Sequence, residues 1–110
     1  MKAKIAIVGS GNIGWALRQL LENDYELKQG DIADGFDALD IEQVKDFLKG
    51  NDAVISAGPF KVNKNIAKVA ADFGIAYFDL TEDVETTEYI KTLESKNILM
   101  PQCGLAPGAI

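Results

Sequence analysis

The chain contains no histidine. His-based catalytic triads are thereby excluded, along with most zinc sites, for which imidazole is a standard ligand. Cysteine occurs once, as Cys103, so no intrachain disulfide can form, which fits a reducing cytoplasm. Arginine also occurs once, as Arg18. A site gripping carboxylates or phosphates with paired guanidinium forks is therefore not complete within these residues. A basic surface is lacking too: the net charge of −6 argues against nucleic acid and anionic membranes as partners. No apolar run approaches the roughly 20 residues that span a bilayer. The opening Met1–Val8 resembles the start of a leader peptide, but Gly9-Ser10-Gly11-Asn12 interrupts it, and it reads instead as a strand.

What is present fits one compact domain: 110 residues, 47% apolar, with no repeat, linker or low-complexity tract. Apolar periodicity predicts strands at Lys4–Val8, Glu26–Gly30, Ala53–Ala57, Ala76–Leu80 and Ile98–Met100, with a short one at Ala38–Asp40. It predicts helices at Asn12–Asn23, Ile41–Lys49, Asn63–Phe73 and Val84–Ser95. In the first helix Ile13, Ala16, Leu17, Leu20 and Leu21 are expected to face inward, with Trp15 pointing elsewhere. In the second, Ile41, Val44, Phe47 and Leu48 are expected inward, with Gly50 as the stop. Alternating strands and helices imply a doubly wound, Rossmann-like α/β fold with a parallel sheet. Too few residues separate Asp31 from Ala38 for a crossover helix, so the fold is abbreviated between its second and third strands.

Gly9-Ser10-Gly11-Asn12-Ile13-Gly14 reads G-x-G-x-x-G, directly after a strand and at the opening of a helix. Gly9 allows the tight turn, Gly11 the approach of backbone to a pyrophosphate, and Gly14 the close packing of helix on strand. Free amides at the helix start then hold the anion. Asp31, 22 residues after Gly9 at the end of the second strand, is placed to bond the adenosine ribose. The following Ile32-Ala33-Asp34 offers no cation for a 2′-phosphate, which favours NAD over NADP. Asp40 and Ile41 follow the third strand, where they either contact the adenine side or, for Asp40, cap a helix. At the fourth strand end, Ser56-Ala57-Gly58-Pro59-Phe60 combines small residues that admit a cofactor with a ring to cover the nicotinamide. At the fifth, Asp79-Leu80-Thr81-Glu82-Asp83 supplies a helix cap at Thr81.

Three stretches together carry a resemblance: Ser56–Phe60, Tyr77–Asp83 and Pro101-Gln102-Cys103-Gly104-Leu105-Ala106-Pro107-Gly108. They resemble the N-terminal domain of the saccharopine dehydrogenase-like family, which includes saccharopine reductases and lysine 6-dehydrogenases. The resemblance covers essentially the whole chain and is most distinctive at its last motif. It implies an NAD(P)-dependent oxidoreductase acting on the C–N bond of an amino acid. It also implies that Cys103 and Gly104 border the nicotinamide. A second domain beyond Ile110 would then supply much of the amino-acid site and the dimer contacts, and Trp15 would either pack on it or on a partner, or partly cover a helix end. Ala106 stands where saccharopine reductases usually carry aspartate, which moves the resemblance towards the lysine 6-dehydrogenase side. Cys103 is read as a wall residue, because hydride transfer needs no thiolate. The residues leave the catalytic proton-transfer group and any metal ligand unassigned.

Other readings compete. A non-catalytic NAD(H)-sensing module shares the glycine turn and Asp31, but not the exit motif that leads to a catalytic domain. A short-chain dehydrogenase needs Tyr-x-x-x-Lys, whereas Tyr25, Tyr77 and Tyr89 are followed at that spacing by Gln29, Thr81 and Leu93. A methyltransferase fits neither Gly14 nor the family motifs.

Overall fold

Five strands form one parallel sheet in the order β2-β1-β3-β4-β5. They are β1 (Lys4–Val8), β2 (Glu26–Gly30), β3 (Ala53–Ser56), β4 (Ala76–Asp79) and β5 (Leu99–Met100). Four helices alternate with them: α1 (Asn12–Leu21), α2 (Ile41–Leu48), α3 (Phe60–Phe73) and α4 (Val84–Lys91). The computed structural model describes residues 3–9, 12–30, 39–57, 60–80, 84–93 and 97–100. The doubly wound, Rossmann-like expectation holds.

After β1 the chain steps to one side of the sheet, and after β2 it crosses β1 to continue on the other. Right-handed crossovers then put α1 on one face and α2, α3 and α4 on the opposite one. Side-chain alternation agrees with this. Ala6, Val8, Val54 and Tyr77 share a cluster with Val44, Phe47 and Leu48 of α2, Ile66, Ala67, Val69 and Ala70 of α3, and Ile90 of α4. The alternate residues Ile5 and Ile7 are buried on the α1 face. Farther along that face Ala53, Ile55, Ala76 and Phe78 are only half buried. Only α1 covers it among the described elements.

Two helix ends follow directly from glycine. Gly74 has φ 71°. Its N–H donates to Ala71 O at 3.2 Å, and Ile75 N–H donates to Ala70 O at 3.0 Å. This is a Schellman closure, with Ile75 folded onto Ala70 in the core. Gly50, at φ 83°, turns the chain after α2. Asn51 Nδ2 then donates to the carbonyls of Phe47 at 3.1 Å and Leu48 at 3.3 Å. A Cβ on Gly50 would meet nothing within 4 Å. Gly50→Ala is therefore expected to cost only the left-handed backbone strain, about 1–2 kcal/mol in urea unfolding. A stabilised variant would show that the left-handed turn is not required.

Several expected details differ. α1 ends at Leu21 rather than Asn23, and α3 begins at Phe60 rather than Asn63. Ala57 and Leu80 lie just outside their strands. Leu39 and Asp40 form a turn and bend rather than a strand, and Ala38 lies outside the described residues. Asp40 instead caps α2: Glu42 N–H donates to its Oδ1 at 3.0 Å. Ile41 is 37% exposed rather than inward. On α1, Ala16 and Leu20 are exposed, while Gly14 is buried and Leu17 and Leu21 are half buried. The inward stripe thus runs through Gly14. At Gly14 the helix meets the Gly9 carbonyl so closely that a Cβ has no room.

Candidate functional site

The strand ends are level. Gly30 pairs with Val8, Val8 with Ser56, and Ser56 with Asp79, so the carboxyl ends of β2, β1, β3 and β4 form one edge. The chain's change of direction places a switch point between β1 and β3. Ligands of open α/β sheets bind in the crevice outside such an edge.

Gly9 opens this edge. Its φ of 103° is a conformation that side-chain-bearing residues rarely adopt. Its N–H donates to Gly30 O at 2.7 Å, and its carbonyl accepts from Gln29 Nε2 at 3.1 Å. On the other side of β1, Ala57 N–H donates to Val8 O at 2.8 Å. The turn is therefore tied to both neighbouring strands. A Cβ on Gly14 would lie 2.9 Å from the Gly9 carbonyl carbon and closer still to its oxygen. No side chain fits there. The first and third glycines of the motif are thus held by geometry, one by its backbone conformation and the other by lack of space. α1 carries no acidic residue in its first turn to compete with an anion for its amides.

Farther along the edge the buried polar groups gather. Ser56 Oγ donates to Asn63 Oδ1 at 2.5 Å, joining the end of β3 to the first turn of α3, and both residues are fully enclosed. Asn63 Nδ2 has no hydrogen-bond partner. On β4, Tyr77 donates through its hydroxyl to Asp79 Oδ2 at 2.5 Å, and both are buried. Thr86 and Thr87, in the first turn of α4, are buried as well. Every buried polar side chain among the described residues belongs to this end of β3 and β4 or to the helix turns that follow them. An apolar core would be cheaper to build.

Of the sequence-predicted site residues, Gly9, Gly14, Ser56 and Ala57 stand together along the edge. Asp40 is engaged as a cap, and Ile41 is the first residue of α2. Asn12 and Ile13 open α1 and Phe60 opens α3, but their side chains lie outside what the structure describes. Ser10, Gly11, Asp31, Gly58, Pro59, Thr81, Cys103 and Gly104 lie outside the described residues altogether. Gln29 and Asn63 were missed by the motif reading. The signal for Gln29 was strand alternation, which puts it with Leu27 on the side facing α1. No group of three or more metal-ligating side chains occurs among the described residues. No described helix is long and apolar enough to cross a membrane.

The sequence matches no protein-family model and no curated protein. Solved structures do match. The chain superposes on saccharopine dehydrogenase (L-Glu forming) from Saccharomyces cerevisiae with a TM-score of 0.77 at 18% identity, covering 96% of this chain. The fold is one shared with saccharopine dehydrogenase. An oxidoreductase from Sinorhizobium meliloti matches with a TM-score of 0.64 at 19% identity, covering 90% of this chain. The chain spans 28% and 36% of the lengths of these two proteins. At such identities the agreement is one of fold, and it is the same fold that the strand-end motifs implied.

Proposed function

We propose that this chain is the nicotinamide-dinucleotide-binding domain of an oxidoreductase acting on the C–N bond of an amino acid. One observation carries the reading: Gly9 takes a left-handed turn at the switch point, and Gly14 leaves no room for a side chain against it. A turn this tight, followed by a helix of 10 residues, is built to present backbone amides to a diphosphate. Gly9 to Gly14 would hold that bridge, and Asp31 the adenosine ribose. Ser56 to Phe60, with Cys103 and Gly104, would wall the nicotinamide, whose ring supplies hydride chemistry when bound.

The likeness to two oxidoreductases supports the broader class. The amino-acid substrate rests on the strand-end motifs. A second domain carrying that substrate's site is part of the proposal. Trp15 and Leu20, 62% and 74% exposed, and the half-covered sheet face are apolar surface that such a domain would cover. Asp31-Ile32-Ala33-Asp34 favours the unphosphorylated ribose of NAD over NADP.

Calorimetric titration of the chain with NADH and then NADPH tests the reading. NADH is expected to bind, and NADPH at least about tenfold more weakly, the scale of one unpaired charge contact. Binding of neither would overturn it.

A further inference from the structure

The side chain that holds the glycine turn in place comes from the neighbouring strand. Gly9 has both backbone groups engaged at the end of β2: its N–H by Gly30 O at 2.7 Å, its carbonyl by Gln29 Nε2 at 3.1 Å. Gln29 is half buried between β2 and α1, in space opened by Gly14, where a Cβ would lie 3.2 Å from Nε2. One helical turn beyond Gly14, Arg18 Nη1 donates to Gln29 Oε1 at 3.3 Å. A primary amide can point either way round. Arginine only donates, so it selects the orientation in which the amide oxygen faces Arg18 and the amide nitrogen faces Gly9. In that orientation the Gly9 carbonyl is drawn inward between β2 and α1. Turned outward, that oxygen would set a negative dipole against a phosphate.

We propose that Gln29 is a positioning residue for the phosphate-binding turn, oriented by Arg18, the chain's single arginine. The proposal rests on the dinucleotide reading and deepens it. Arg18 and Gln29 touch no ligand. They act by holding the Gly9 carbonyl away from the bridge, so that anion affinity is set in advance rather than paid for on binding.

The test uses ADP-ribose, which carries the diphosphate, and adenosine, which does not. Gln29→Met keeps the bulk and loses the donor. Gln29→Glu keeps the partner for Arg18 but turns an acceptor towards the Gly9 carbonyl. Gln29→Met is expected to weaken ADP-ribose binding about tenfold, and Gln29→Glu by more, with adenosine binding in NMR titration unchanged. The Gly9 amide resonance of the ligand-free chain should shift in both. Arg18→Met alone should weaken ADP-ribose binding about threefold, but add nothing in the Gln29→Met background, because it acts through that amide. Unchanged ADP-ribose affinity in the Gln29 variants, equal losses for adenosine, or additive effects of the two substitutions would overturn the proposal. A native chain that binds no ADP-ribose would defeat the dinucleotide reading itself, and the proposal with it.

Discussion

Gly14→Ala is expected to destabilise the chain and to remove measurable NADH binding in a single step. The sign is the informative part. Glycine inside an exposed helix costs up to about 1 kcal/mol relative to alanine, so in open space this substitution would stabilise α1. Here the added methyl would collide with the Gly9 carbonyl, 2.9 Å from its carbon and nearer its oxygen, and would crowd Gln29 Nε2 at 3.2 Å. None of these neighbours is free to yield. Gly9 is tied to Gly30, and Gln29 is tied to Gly9 and Arg18. The helix start must then tilt away from the sheet, at a cost typical of overpacking, about 1–3 kcal/mol. A tilt of about 1 Å moves the first-turn amides off their aim at the diphosphate, and misplacements of that size cost about a hundredfold where geometry is fixed in advance. Urea unfolding and calorimetry on one preparation read both effects. A stabilised variant that binds NADH like the native chain would show that the close approach of Gly14 to Gly9 has no functional meaning.

Much of the fold was legible because its signals are local. Lys4–Val8 is an apolar, β-branched run stopped by a glycine, and it is an interior strand paired on both sides. Gly50 and Gly74 sit where left-handed closures are needed, and there they end their helices. The inward face of α1 was misread for a definite reason. Periodicity weighs apolar side chains, and it chose Ile13, Ala16, Leu17, Leu20 and Leu21. Leu17 and Leu21 are half buried, but Ala16 and Leu20 are exposed, and the buried position is Gly14, which has no side chain for periodicity to weigh. The start of α3 was also misplaced: the helix begins at Phe60 rather than Asn63. Of the site, the glycine turn was written in the sequence because its requirement is steric and falls within six residues. The Gln29 link was not, since it joins residues 20 positions apart and depends on sheet register. The Ser56–Asn63 pair escaped for another reason: the helix was expected to begin at Asn63, which left that residue's facing direction undefined. With α3 starting at Phe60, the same residue lies in the first turn, facing the sheet.

That buried pair carries the second large expected effect. Ser56 and Asn63 are 1% and 0% exposed, and they satisfy each other only in part. Asn63 Nδ2 is already without a partner, so the pair carries a desolvation cost before any substitution. Ser56→Ala removes the one donor that serves Asn63 Oδ1, leaving an enclosed amide with no bond at either end. The expected loss is about 1–3 kcal/mol. Asn63→Leu removes the amide but strands the Ser56 hydroxyl, with a loss of similar size. The double variant Ser56→Ala with Asn63→Leu buries no unpaired polar group. It should recover most of what each single variant loses, giving a coupling of about 1–3 kcal/mol in a double-mutant cycle read by urea unfolding. This recovery separates a polar pair kept at the expense of stability from one that supports the fold. A protein selected for stability alone would have filled this volume with aliphatic side chains, as it has at Val54 directly beneath Ser56 on the same strand face. If the double variant is instead as unstable as the sum of its parts, the polar pair is itself the better packing solution, and its position at the ligand edge implies nothing. If it recovers stability but binds NADH more weakly than the native chain, then the end of β3 keeps its polar groups for the ligand.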